Sequence, residues 1–162
     1  MTFLIKDHFK KIIGISLVEL IVIIGIISFL VLISIPRLMK VKYNLDLKGA
    51  ARTVASALLA AKTISLKEGP VALDFSNLSE IKLCYDRDMN GLCDATERII
   101  QSFSIDNSIS ITLNNRVYFE RGLPKNPSGG FGADTITLIH SKTAKCLAVI
   151  YNRTGRVRIN EC

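Results

Sequence analysis

Residues 12–35 form a nearly unbroken apolar run, IIGISLVELIVIIGIISFLVLISI, in which Glu19 is the one charged residue. About 20 apolar residues in a helix cross a bilayer. The run is also longer than the roughly 7–15-residue apolar stretch of a secretory signal peptide. No second run of this kind follows. Pro36 comes next and is expected to kink or interrupt the helix, because it lacks an N–H and crowds the preceding turn. Helical spacing then resumes. Val54, Leu58, Ala61 and Ser65, flanked by Ala50, Ala57 and Ile64, recur at three- and four-residue intervals until Gly69-Pro70 ends the pattern. One long helix accounts for both stretches. Two separate helices would need a break between Pro36 and Asn44.

Beyond Pro70 the pattern shortens to β-rich runs at 71–75, 81–85, 98–105, 108–113, 116–120, 135–139, 146–151 and 156–160. Asn90-Gly91, Asn114-Asn115 and the LPKNPSGGFG stretch at 123–132 read as turns or loops between them. Short links favour antiparallel pairing. The fold class expected is α+β, a long N-terminal helix whose first half spans a membrane, with its second half packed on antiparallel sheets.

Glu19 is the anomaly of the apolar run. A carboxylate at membrane depth costs about 2.5–3.5 kcal/mol or more unless it is paired or neutralised. No Lys or Arg lies between Lys11 and Arg37. Cleavage between Gly14 and Ile15 would supply a partner, a new α-amino group four residues before Glu19 or on a neighbouring chain. The plain alternative is a carboxyl protonated in lipid.

The string Gly14-Ile15-Ser16-Leu17-Val18-Glu19-Leu20-Ile21, after a short basic leader, resembles the signal of type IV pilins and type II secretion pseudopilins. The resemblance implies a prepilin peptidase that cuts after Gly14 and methylates Ile15. It makes Glu19, fifth after the cut, the assembly residue, and it matches Pro36, twenty-one residues after Ile15. Ile15 departs from the Phe or Met usual in the family. The implied division is a cleaved leader 1–14, a helix 15–68 with 15–35 in the membrane, and a globular domain 69–162.

The later part resembles the FimT/GspH-like minor pilins. The matching features are the Ala-rich helix, the hairpin Tyr85-Asp86-Arg87-Asp88-Met89-Asn90-Gly91, Val117-Tyr118-Phe119 with Gly122, and Cys146…Gly155-Arg156-Val157-Arg158…Cys162. The partners implied are other pilin or pseudopilin subunits, the prepilin peptidase and the bacterial inner membrane, with the domain in the periplasm.

Composition adds a positive balance, Lys+Arg 21 against Asp+Glu 14, for a formal net charge of +7. Flanking charge does not orient the span: Lys6, Lys10 and Lys11 lie before it, and Arg37, Lys40, Lys42, Lys48 and Arg52 after it. The resemblance and the cysteines place the domain outside the cytoplasm.

Residues 142–162 hold five positive charges and one negative. In the hairpin register that sets 152 opposite 156, Val157 faces Tyr151 and Ile159 faces Val149 on one apolar face. Arg156 and Arg158 then point the other way, and Cys146 falls opposite Cys162. A Cys146–Cys162 bridge is expected, together with Cys84–Cys93 around the acidic hairpin. Arg153, Arg156 and Arg158, with Lys142 and Lys145 upstream, suit sequence-independent contacts to DNA phosphates. In the FimT group a Gly-Arg-x-Arg motif is associated with DNA uptake in natural transformation, and Gly155-Arg156-Val157-Arg158 matches it. The alternative is a charged edge hairpin that only prevents aggregation, in a structural pseudopilin with no DNA role.

Residues 86–97 fit the twelve-residue calcium-loop pattern, with oxygens from Asp86, Asp88, Asn90, the Leu92 carbonyl, Asp94 and Glu97, and Gly91 for the turn. The ion would be structural, and no cofactor is required. The alternative is an Asx-rich turn that caps its own backbone. His8 and His140 are the two histidines, and no nucleophile, phosphate-loop or metalloprotease motif is present, so no enzyme is expected.

Overall fold

The computed structural model describes residues 16–77, 80–128, 130 and 132–162. Gly14 and Ile15, with the leader before them, lie outside the described residues. Helical backbone, α1, runs Leu17–Ser65 and includes Pro36 without ending there, so the interruption expected at that proline does not occur. The chain divides into two compact units, Met1–Met39 and Lys40–Cys162.

In the first unit Ser16 opens the helix, its carbonyl accepting from the Leu20 N–H at 3.1 Å. No described residue of this unit is buried. The Ser28 and Ser34 hydroxyls each donate to the carbonyl four residues back, at 2.8 Å, so neither exposes an unpaired hydroxyl along the apolar surface. This helix is long and apolar enough to cross a membrane.

The second unit carries a core wholly its own, since every buried residue described lies between Leu47 and Gly155. Its helical part buries Leu47, Ala50, Ala51, Val54, Ala57, Leu58, Ala61 and Ser65, the stripe that the three- and four-residue spacing predicts. Four of the eight are alanines, which allow the helix backbone to lie close to its neighbours. Lys67 and Glu68 both donate to the Ile64 carbonyl in the turn that closes the helix, and Gly69 follows with φ +113°.

Among the described residues nine strands follow: β1 (Val71–Asn77), β2 (Glu80–Tyr85), β3 (Ile99–Ser104), β4 (Ile109–Leu113), β5 (Val117–Glu120), β6 (Leu123–Lys125), β7 (Asp134–His140), β8 (Cys146–Tyr151) and β9 (Val157–Glu161). They form a five-stranded sheet, β3-β2-β1-β5-β6, and a four-stranded sheet, β4-β7-β8-β9. All pairings are antiparallel. Register stacks apolar residues on one face of each sheet. Leu73 lies beside Leu83 and Val117, Val71 beside Phe119, Ile111 beside Leu138, and Ile136 beside Val149. These residues and the helix stripe make one continuous core.

β6 is absent from the sequence reading, which assigns 123–132 to a loop. Pro124 has no N–H to offer a central ladder, but β6 is the edge strand of its sheet, where proline is tolerated.

Leu58 is fully buried and Leu59 is 49% exposed, one residue apart on the same helix. Leu58→Ala is expected to cost about 2–5 kcal/mol of stability, and Leu59→Ala less than about 0.5 kcal/mol. Overpacking by Ala57→Leu is expected to cost about 1–3 kcal/mol. Denaturant melts of the three variants check this ordering.

Candidate functional site

Two places in the second unit gather charged side chains: the acidic loop after β2 and the hairpin tip between β8 and β9. The loop is fixed from beneath. Ala72, Cys84 and Tyr118 form a small buried cluster on the face of the five-stranded sheet away from the main core, and Cys93 packs on it. Cys84 and Cys93 are joined as a disulfide with Cα atoms 5.7 Å apart. Asp74 accepts from the Cys93 N–H at 3.4 Å and from the Ser76 N–H at 2.8 Å.

Inside the loop, Asp86 is fully buried and accepts from the Asn90 N–H at 3.1 Å and the Gly91 N–H at 2.9 Å. Gly91 has φ +74°, and a Cβ there would sit 3.0 Å from the Arg116 Cβ, so glycine is required for both reasons. The Asn90 amide donates to Asp88 at 2.7 Å and Asp94 at 3.0 Å, and its oxygen accepts from the Leu92 N–H at 2.7 Å. Glu97 accepts from the Arg87 N–H at 3.0 Å and the Asp94 N–H at 3.3 Å. The loop thus caps its own backbone. It also brings one carboxylate oxygen each from Asp86, Asp88 and Glu97 within 4.8 Å of one another, a spacing that suits a hard cation with oxygen ligands.

Burial pushes the Asp86 carboxyl up to about 6. The Gly91 and Asn90 N–H groups oppose that shift, while a hydrogen bond with Asp88 and the charge of Glu97 add to it.

The basic hairpin is held by different means. β8 and β9 pair Tyr151 with Val157, Ile150 with Arg158 and Val149 with Ile159, the register that the apolar alternation requires. Cys146 and Cys162 close the open end as a disulfide, Cα atoms 5.7 Å apart. At the tip, Asn152 accepts through its side chain from the Thr154 N–H (3.1 Å), the Thr154 hydroxyl (2.7 Å) and the Arg156 N–H (2.9 Å). Gly155 completes the turn at φ +71°, its N–H donating to the Asn152 carbonyl at 2.8 Å.

The tip is then tied to the helix. Lys62 Nζ donates to the Thr154 carbonyl at 3.0 Å and the Gly155 carbonyl at 3.5 Å. Lys62 is ninety-two residues from Thr154, so no local sequence pattern could have signalled it. Arg153, Arg156 and Arg158 are left exposed, and among the described residues none has an ion-pair partner.

Lys142 and Lys145 do not join them. Both lie in the turn between β7 and β8, at the opposite end of β8 from Arg153. Six strand residues at about 3.3 Å each separate the two turns by roughly 20 Å. Proximity in sequence to the hairpin is therefore not proximity to its tip. The turn that holds the lysines is organised by buried His140, whose Nδ1 accepts from the Lys142 N–H at 3.1 Å and whose ring lies 4.8 Å from that of Tyr43. Glu19 is exposed in the first turn of α1, within the other unit.

The Asp86 environment gives a pH dependence of defined sign. Its folded-state value stands above the unfolded value of about 3.9, so the folded chain retains a proton that the unfolded chain releases. That contribution is full below about 4 and is lost as pH rises through about 6. Asp86→Asn is expected to remove this slope and to lower stability at acid pH, because the Asn90 and Gly91 N–H groups meet different carboxylate oxygens and one of them would face an amide NH2 instead. Melting temperatures across pH, wild type against variant, test it. At the other site Gly155→Ala is expected to cost about 1–3 kcal/mol, since φ is positive and the new Cβ would lie 3.0 Å from Lys62 Cδ.

No family model matches the chain, and no curated protein matches it. Among solved structures, the chain is similar to the minor pseudopilin EpsH from the type 2 secretion system of Vibrio cholerae. The TM-score is 0.53 and the identity 9%, with 72% of this chain and 97% of that one covered. At that identity the likeness is one of fold: an apolar N-terminal helix and antiparallel sheets in a pseudopilin-like arrangement.

Proposed function

We propose that the chain is a minor pilin of a type IV pilus system, a structural subunit inserted in the inner membrane through 15–35 and cut after Gly14. It then assembles with like subunits through its apolar helix. The observation that carries this reading is the first unit itself. Its apolar helix has no buried residue among those described, so lipid or other helices must cover it. Glu19 is the assembly residue in this reading, its charge met by the α-amino group of Ile15 or of a neighbouring subunit. The pseudopilin-like fold, matched over 72% of this chain, supports the reading.

The exposed, unpaired arginines at the hairpin tip favour a finer version, in which Arg153, Arg156 and Arg158 contact DNA phosphates during uptake. The alternative is a minor pseudopilin of a type II secretion system, structural and without a DNA role. Calcium in the acidic loop belongs to either version as a structural ion.

Mass spectrometry of the native protein is expected to find a chain beginning at methylated Ile15; a chain beginning at Met1 would remove the pilin reading. Glu19→Ala is expected to leave the second unit folded and the subunit missing from sheared filaments. A gel shift with duplex DNA is expected to weaken steeply with salt and to disappear in Arg156→Gln/Arg158→Gln. No shift of the wild type at low salt would leave the structural alternative.

A further inference from the structure

Arg121 stands where arginine is disfavoured. It and Gly122 are the two central residues of the turn joining β5 to β6, with Glu120 paired to Leu123 across it. Both have positive φ, +51° at Arg121 and +75° at Gly122. Turns of this kind favour Asn, Asp or Gly at both places, because a side chain with a Cβ crowds the following carbonyl. A bulky cationic residue here is a local conflict between sequence and backbone, and such conflicts collect where a side chain is needed for something other than the fold.

The surroundings show what that need is. The Gly122 N–H donates to the Ser65 hydroxyl at 3.1 Å, which docks this turn on the end of α1. A Cβ on Gly155 would lie 3.2 Å from the Gly122 carbonyl oxygen, so the β5–β6 turn and the β8–β9 tip touch through their glycines. Lys62 packs on the tip, its Cδ 3.0 Å from where a Gly155 Cβ would lie and its ammonium given to the tip carbonyls. The two turns, from different sheets, thus set Arg121 beside the Arg153–Arg156 tip. Glu120, the nearest acidic side chain in sequence, is engaged by Lys125. Arg121, Arg153 and Arg156 are exposed, and none has an ion-pair partner among the described residues. Tyr118, Phe119 and Tyr151 of these hairpins are buried, so they offer no ring for a base to stack on.

We propose that Arg121 is a phosphate-contacting residue that joins the β5–β6 turn to the β8–β9 tip in one surface for a nucleic-acid backbone. An exposed cation meets phosphate oxygens through charge-assisted hydrogen bonds, which arginine and lysine both make. Phosphates recur along one DNA strand about every 3.4 Å of axis, so two abutting turns engage successive groups without reading sequence. This inference rests on the DNA-contacting version of the function proposed above and extends it to a residue outside the C-terminal hairpin.

The test uses the full chain in detergent micelles and a fluorescent duplex DNA of mixed sequence, with anisotropy titrations across a salt series. Arg121→Asn is expected to weaken binding severalfold and to reduce the salt slope by about 1, while the melting temperature, read from tyrosine circular dichroism, stays or rises. Arg121→Lys keeps the charge and is expected to bind near wild type. Arg121→Asn with wild-type affinity and slope, while Arg156→Gln/Arg158→Gln loses binding, overturns this inference and leaves the DNA reading standing. A loss in Arg121→Asn that Arg121→Lys does not restore overturns it too. A wild type that binds poly-glutamate but no DNA, or binds neither, overturns both.

Discussion

The second unit depends on one face of one helix. Among the described residues its two sheets share no strand, and no ladder of backbone hydrogen bonds joins them. They share the stripe from Leu47 to Ser65, with which their apolar faces form a continuous core. Alanine at 50, 51, 57 and 61 sets how near the backbones come, while Leu47, Val54 and Leu58 fill the space between. Removing apolar area from water supplies about 25 cal/mol per Å², and side chains of this size contribute most when fully enclosed, as Val54 and Leu58 are.

The charged sites follow from that packing because both are pinned to buried parts. The acidic loop rests on the outer face of the five-stranded sheet through Cys93 and Asp74, and buries Asp86 at its centre. The hairpin tip is tied to the helix through Lys62, and the β5–β6 turn through Ser65. In both places backbone N–H and C=O groups are satisfied by side chains. That fixes the exposed groups around them and lowers the conformational entropy a charged ligand would otherwise have to remove.

The first unit has a different logic. Its described residues are mostly apolar and none is buried, so its stability is settled by what surrounds it. A carboxylate near the start of such a helix is costly in lipid unless it meets a positive charge. The assembly proposed above would cover this helix and could supply that charge.

Much of this was legible in the order of residues. The apolar run, the three- and four-residue spacing of Val54, Leu58 and Ala61, and the alternation in 146–151 and 156–160 each report a local period. Local periods set which face of a helix or strand is buried. The turn at Asn152–Gly155 was legible for the same reason, because its chemistry lies within five residues. What the sequence could not settle is what long-range packing brings together. Lys62 reaches Thr154 across ninety-two residues, and Gly122 meets Gly155 only because two sheets close on one helix end. Lys142 and Lys145 lie close in sequence to the arginines yet sit at the far end of a strand, since an extended chain carries neighbours apart as readily as a turn returns them. β6 was hidden by Pro124, whose missing N–H matters in a central strand but not at the edge it occupies. Sequence alone determined most of the elements and their buried faces; tertiary structure decided which charges share a surface, because that depends on contacts no local pattern records.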